Sequence, residues 1–171
     1  MNLQKIWLTA AVLVLTGICL SAQSSWPDRF AYSPGSATFG PRELSVDLFG
    51  GYATRDKGGA DTDAYGIGVG VNYFIFDNIG VGVDTYADAF TTPYLLNVSG
   101  IYRYPIAQLG LAPYAFAGFG RQWEHDPRWT GHFGAGVEYR FNTKTGVFVD
   151  GRRVFGGDDY ALWRLGFRFA F

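Results

Sequence analysis

The chain has 171 residues, of which 48% are hydrophobic, 18% aromatic and only 17% charged, with a formal net charge of −1. So many aromatic residues exclude an intrinsically disordered chain, and the absence of a basic excess argues against a nucleic-acid partner. The length fits one domain, and a single cysteine excludes an internal disulfide framework. The 24 glycines follow no collagen-like period, which indicates turns, strands or close packing.

The N-terminus has the pattern of an export signal. Lys5 precedes an apolar run at 6–20, and small residues follow it. We predict a cleaved signal peptide at 1–22, because the run is shorter than the roughly 20 apolar residues of a membrane-spanning helix. A lipoprotein signal ending at Cys19 is disfavoured, since Ile18 stands where that signal has a small residue. Cleavage removes the cysteine, which suits an oxidising compartment.

The next segment, 23–42, contains several prolines and glycines and has no periodicity. We predict an extended or loosely packed lead-in on the periplasmic side of the membrane. The remainder, 43–171, is predicted to form the one folded domain.

From residue 43 onward, apolar residues recur with a period of two, which is the pattern of strands whose two faces meet different environments. The predicted strands lie at about 43–54, 63–75, 79–86, 94–104, 109–123, 129–141, 146–155 and 161–171. Most are longer than the usual five or six residues, and they match the roughly 9–11 residues with which a tilted strand crosses a bilayer. An even number of such strands predicts an antiparallel barrel with both ends on one side.

The predicted connections alternate in character. Short links are expected near 76–78, 105–108 and 142–145, and more polar links near 55–62, 87–93, 124–128 and 156–159. The polar set is expected to face outward from the cell.

Glycines decide which face of the strands points inward. The less apolar face carries ten of them, at 66, 68, 70, 80, 82, 118, 120, 134, 136 and 166. On a water-exposed face each would weaken its strand by about 0.5–1 kcal/mol. Inside a narrow eight-stranded barrel they leave room for long side chains from across the lumen. We therefore predict that the apolar face contacts lipid, in preference to a soluble sandwich or a lipocalin-like barrel.

The same face carries a nearly balanced set of charges, as paired charges in a confined space require. We predict a structural charge network in the lumen, formed by Asp47, Asp84, Arg103, Glu138, Arg140, Asp150, Arg152, Arg164 and Arg168. Together with Phe49, Phe74, Phe116 and Phe148 on that face, it predicts a plugged interior.

Aromatic residues of the apolar face concentrate at both ends of the predicted strands. Near the short turns these are Tyr73, Tyr102, Tyr104, Tyr139, Phe141, Phe169 and Phe171. At the opposite ends they are Tyr52, Tyr65, Tyr94, Trp123, Trp129 and Trp163. Two aromatic girdles around an aliphatic band are typical of an outer-membrane barrel.

Three stretches resemble a known family: PYAFAGFG at 113–120, GAGVEYRF at 134–141 and LGFRFAF at 165–171. Together and in this order, they resemble strands of the OmpA-like and opacity-type small outer-membrane β-barrels. The resemblance implies an all-β fold, an eight-stranded antiparallel transmembrane barrel with up-and-down topology. It also implies that the closing strand carries a signal for the barrel-assembly machinery, at Phe167, Phe169 and Phe171. The fold by itself implies no activity.

We therefore expect an integral protein of the cell outer membrane with a mainly structural role, without catalysis, cofactor or metal. The expected partners are outer-membrane lipids, lipopolysaccharide, and the periplasmic chaperones and assembly machinery during biogenesis. A monomer is expected. The polar loops are too short to offer a specific interface of ordinary size, which disfavours an adhesin.

Two other functions stay open at this point. One is a narrow pore for small solutes or ions through the charged lumen. The other is a lipid A-modifying enzyme, which needs a serine and a histidine within hydrogen-bond reach. His132 is predicted to face the lumen, while Ser45 and Ser99 lie on other strands. A surface metal site around His125 is disfavoured, because its neighbourhood lacks a full ligand set.

Overall fold

The computed structural model describes residues 38–57, 60–88, 94–123, 128–156 and 159–171. Eight strands occupy most of these ranges: β1 Glu43–Lys57, β2 Ala60–Phe74, β3 Ile79–Asp88, β4 Tyr94–Arg103, β5 Leu111–Trp123, β6 Arg128–Arg140, β7 Thr145–Phe155 and β8 Tyr160–Ala170. The predicted signal peptide and most of the lead-in lie outside the described residues. Within the described ranges, no helix is long and apolar enough to cross a membrane.

The strands form one closed barrel. Each strand pairs antiparallel with the next along the chain, and β1 pairs with β8 to close the sheet. The predicted up-and-down barrel is confirmed. Closure matters physically, because it leaves no sheet edge with unpaired backbone groups.

Two predicted connections differ from the structure. The pairing of β1 with β2 continues to Lys57 and Ala60, so the predicted loop at 55–62 is mostly a hairpin of strand. The polar residues at 55–62 predict a loop, but polarity does not prevent the backbone from pairing. The fifth strand begins at Leu111 because a short 3₁₀ turn, Ala107–Leu109, precedes it and ends at Gly110 with φ of 63°. A positive φ of this kind favours glycine.

The apolar face points outward, as the sequence predicts. Ile67 and Leu165 expose 72% and 66% of their surface on the outer wall, whereas Phe74 and Phe148 are 0% and 2% exposed in the interior. Exposed aromatic side chains lie near both ends of the wall, including Tyr104 and Phe171 at the short turns and Trp129 at the opposite end. The side chains of Tyr94 and Trp123 lie outside the described residues. A wall this apolar is suited to hydrocarbon.

Inward glycines accommodate aromatic rings. A Cβ on Gly80 would lie 2.8 Å from Phe74 Cδ1, and one on Gly134 would lie 2.5 Å from Phe116 Cζ. Each ring belongs to the residue that pairs with the glycine on the adjoining strand. For Phe74 and Phe116, the prediction that these side chains come from across the lumen is therefore wrong, because each ring lies over the glycine of the adjoining strand.

Gly50 and Gly51 provide a test of this arrangement. In Gly51→Ala the new methyl group would meet Tyr86 Cε2 at 2.6 Å and Leu162 Cδ1 at 3.1 Å, whereas at the outward Gly50 the nearest atom is 4.0 Å away. We expect Gly51→Ala to lower the free energy of unfolding by about 1–3 kcal/mol. Gly50→Ala should change it by no more than about 0.5 kcal/mol. Urea unfolding in lipid vesicles measures both, and equal effects would contradict the inward packing at Gly51.

Candidate functional site

The interior side chains of the barrel form the candidate site, and the structure places every residue of the predicted charge network there, each at most 9% exposed. They divide into two groups along the axis. The lower cluster, nearer the short turns, contains Glu43, Asp47, Arg103, Glu138, Arg140 and Arg168. The upper cluster contains Asp84, Asp150, Arg152 and Arg164.

In the lower cluster, each arginine pairs with two carboxylates. Arg168 contacts Asp47 with Nε to Oδ1 at 2.7 Å and Glu138 with Nη1 to Oε2 at 2.6 Å. Glu43 Oε1 accepts from Arg103 Nη1 at 2.9 Å and from Arg140 Nη2 at 2.7 Å. Arg140 also pairs with Glu138, and Arg103 Nη1 lies 3.8 Å from Glu138 Oε2.

The upper cluster consists of two fork-like contacts. Arg152 donates to both oxygens of Asp84, at 3.0 and 2.6 Å, and Arg164 donates to both oxygens of Asp150, at 2.7 and 2.9 Å. The Tyr114 hydroxyl donates to Asp150 at 2.6 Å. Bidentate pairs of this kind are among the stronger hydrogen bonds in proteins.

Glu43 is the acid that the sequence analysis did not include in the network. Without it the predicted set has four carboxylates for five arginines. With it, the described interior has three of each in the lower cluster and two of each in the upper one. The alternation of β1 could have identified Glu43, because it has the same inward parity as Asp47. Local neutrality removes the cost of an uncompensated buried charge.

Aromatic rings cover the guanidinium groups. The Arg103 guanidinium carbon lies 3.6 Å from the Phe74 ring centroid, and that of Arg168 lies 5.0 Å from the Phe148 centroid. Contacts of this kind are worth about 0.5–2 kcal/mol each, more when desolvated. The arginines are thus held by carboxylates and by ring faces together.

The end of the lead-in packs into the short-turn end of the barrel. Phe39 is only 3% exposed, and its ring centroid lies 4.9 Å from the Arg103 guanidinium carbon and 5.1 Å from that of Arg140. The segment 23–42 was predicted to be extended or loosely packed, and Phe39 near its end is closely packed, although most of that segment lies outside the described residues. Phe39 is a single aromatic residue before the first strand, so no periodic pattern predicts its burial.

Ser99 and His132 lie in contact, a pairing that strand positions alone did not predict. Both residues pair with Gly118 in the register, and Ser99 Oγ lies 2.9 Å from His132 Nε2. Within the described part of the chain, His132 Nδ1 has no hydrogen-bond partner. Among the described residues, no acid is therefore bonded to this histidine as in a catalytic triad. The other candidate serine, Ser45, accepts a hydrogen bond from Asn72 at 3.4 Å instead.

The remaining predictions concern a metal site and the aromatic residues of the predicted assembly signal. In the ranges that the structure describes, no three His, Cys, Asp or Glu side chains are placed to hold a metal ion, and His125 lies outside them. Phe167, Phe169 and Phe171 project from the outer wall at the end of β8. Their role in assembly stays a prediction.

Comparison with known proteins rests on structure alone, because no family model and no curated protein matches the chain. The N-terminal barrel domain of Pseudomonas aeruginosa OprF is similar with a TM-score of 0.64 at 20% identity, covering 77% of this chain and 99% of that one. Neisserial surface protein A has a TM-score of 0.63 at 14% identity, covering 75% and 97%. This chain has the fold of a small outer-membrane β-barrel.

A designed protein has the same fold. A de novo designed transmembrane β-barrel is similar with a TM-score of 0.61 at 21% identity, covering 77% of this chain and 97% of that one. A fold that natural and designed sequences share carries no particular activity, so the function must be argued from the site.

Glu43 is the residue to test in the lower cluster. Glu43→Gln leaves Arg103 and Arg140 with one carboxylate fewer, so we expect a loss of about 3–5 kcal/mol in the free energy of unfolding. Adding Arg140→Met restores equal numbers and should recover part of that loss. Asp77→Asn, at an exposed carboxylate, serves as the control. Urea titration of the four proteins in vesicles decides the matter, and a Glu43→Gln protein as stable as the control would refute the network.

Proposed function

We propose that this protein is an integral outer-membrane barrel with a mainly structural role in the envelope and a closed interior. The observation that carries the proposal is the pairing, among the described side chains, of five arginines with five carboxylates inside an apolar-walled barrel. In this proposal 1–22 directs export, 23–42 forms the periplasmic lead-in and 43–171 forms the membrane domain.

Location in the outer membrane is supported by the apolar wall and its aromatic ends. Short turns in such barrels face the periplasm, so in this proposal the lead-in and the closing end of β8 lie there and the opposite loops lie outside the cell. Lipids and lipopolysaccharide are then the partners of the wall. Chaperones and the assembly machinery act during biogenesis, the latter through Phe167, Phe169 and Phe171.

The closed interior is supported by three packed layers. Phe39 and the lower cluster lie at the short-turn end, and the upper cluster follows. Toward the loops, Tyr86, Leu95, Val154, Tyr160 and Leu162 are each at most 2% exposed and belong to the same buried cluster. An eight-stranded barrel is just wide enough to be filled by such side chains.

Catalysis is not part of the proposal. Ser99 and His132 could in principle act as nucleophile and base, but both are at most 5% exposed and the Phe116 ring centroid lies 6.3 Å from that of His132. A lipid substrate would have to pass between strands to reach them. A structural hydrogen bond is the better interpretation.

Fractionation tests the location. We expect the protein in the outer-membrane fraction, with faster migration in SDS before heating than after, because a closed barrel stays folded in the detergent. Recovery as a periplasmic protein without this shift would overturn the proposal.

Recordings in planar bilayers test the closed interior against the alternative of a narrow pore. With the protein inserted in its folded, heat-modifiable form, we expect no steady current, because paired charges and rings fill the lumen. A large porin inserted in the same way is the positive control. Steady conductance that Arg152→Ala abolishes would establish a path through the upper cluster instead.

A further inference from the structure

The outer wall carries few charges, and their positions are uneven. Among the outward strand positions with described side chains, the charged residues are Asp63 on β2, Arg121 on β5 and Arg153 on β7. The two arginines flank β6, while β2 lies opposite β6 in the ring of eight strands. One sector of the wall is therefore basic and the opposite sector is not.

Both arginines lie at the loop end of the barrel. Each stands two residues before the end of its strand, Trp123 for β5 and Phe155 for β7. Arg128, the first residue of β6, is exposed at the rim between them, but it has the inward parity of Thr130 and is not part of the outer wall. Within the described ranges, none of the three forms an ion pair with a carboxylate.

Trp129 holds the first of these arginines against the wall. The Arg121 guanidinium carbon lies 5.3 Å from the Trp129 ring centroid. Arg121 Nε is shielded from solvent and, in the described part of the chain, has no hydrogen-bond partner. Stacking on an aromatic face orients a guanidinium but does not neutralise it, so its charge remains available to an anion.

The depth of these residues selects the kind of anion. Trp129 is 63% exposed on the wall, and tryptophans of this type mark the boundary between hydrocarbon and headgroups. An arginine costs about 2–4 kcal/mol at the bilayer midplane and about 0–1 kcal/mol near the boundary, where its head reaches the polar layer. The Arg121 guanidinium, beside Trp129, therefore lies at the level of lipid headgroups, and Arg153 stands equally far from the loop end of its own strand. Arginine matches phosphate through two parallel hydrogen bonds.

We propose that Arg121 and Arg153 form a binding site for the phosphate groups of lipopolysaccharide. The inference rests on the proposed outer-membrane location, in which the leaflet at the loop end contains this phosphorylated glycolipid. Trp129 supplies the apolar side of the site.

Titration of the folded protein with lipopolysaccharide in phosphatidylcholine nanodiscs tests the site. We expect Arg121→Gln with Arg153→Gln to weaken binding about tenfold or more, because two charge-assisted contacts are lost. Lys144→Gln is the matched control, since this exposed lysine lies in the short turn at the opposite mouth. The lysine variants at 121 and 153 keep the charge but lose the fork, so they should bind with intermediate affinity.

The choice of lipid distinguishes specific binding of lipopolysaccharide phosphates from general attraction to an anionic surface. Lipopolysaccharide with its phosphates removed should bind wild type and the glutamine variant equally weakly. If phosphatidylglycerol binds as well as lipopolysaccharide, the site is a general anionic-lipid surface and the proposal is overturned. Unchanged affinity in the glutamine variant overturns it as well.

Failure of this inference is distinguishable from failure of the proposed function. Every variant is first checked for the heat-dependent shift in SDS, and the single substitutions replace any double variant that does not fold. A barrel that reaches the outer membrane but binds lipopolysaccharide independently of the arginines refutes only the site. A chain that does not reach the membrane refutes the proposed function.

Discussion

Charge neutrality in a buried interior is the constraint on which this barrel depends. Among the described side chains, five guanidinium groups lie buried inside a ring of eight strands, and each meets at least one carboxylate within 3.0 Å. Leaving one of them unpaired would cost several kcal/mol. Each arginine therefore needs a carboxylate within reach, and among the described interior residues the numbers of acids and arginines are equal within each cluster.

Glycine makes this interior possible. Several inward glycines lie directly against an aromatic ring of a neighbouring strand. A Cβ at Gly68, Gly80 or Gly134 would overlap that ring. These positions have a low propensity for β-strand, because glycine weakens a strand. The gain is a filled lumen in which Phe49, Phe74, Phe116 and Phe148 also stack against arginines.

The fold and the direction of its faces could be predicted from the sequence, because a period of two assigns each residue to one face and the glycines identify the inner one. Contacts between strands could not. Pairing of Ser99 with His132 depends on the register of β4, β5 and β6, which alternation does not specify beyond the choice of face. Glu43 has the inward parity of Asp47, but alternation alone does not show that it joins the network, and Phe39 precedes the first strand, where no periodicity applies.

The join between the first and last strands has a built-in check on its alignment. Asp47 and Arg168 are direct partners across this join although 121 residues separate them along the chain. A slip of β8 by two residues would keep every apolar side chain facing lipid, so hydrophobicity alone could not reject it. It would, however, put Gly166 or Ala170 opposite Asp47. The charges of Asp47 and Arg168 would then no longer be paired. The register that closes the cylinder is thus the same register that pairs Asp47 with Arg168.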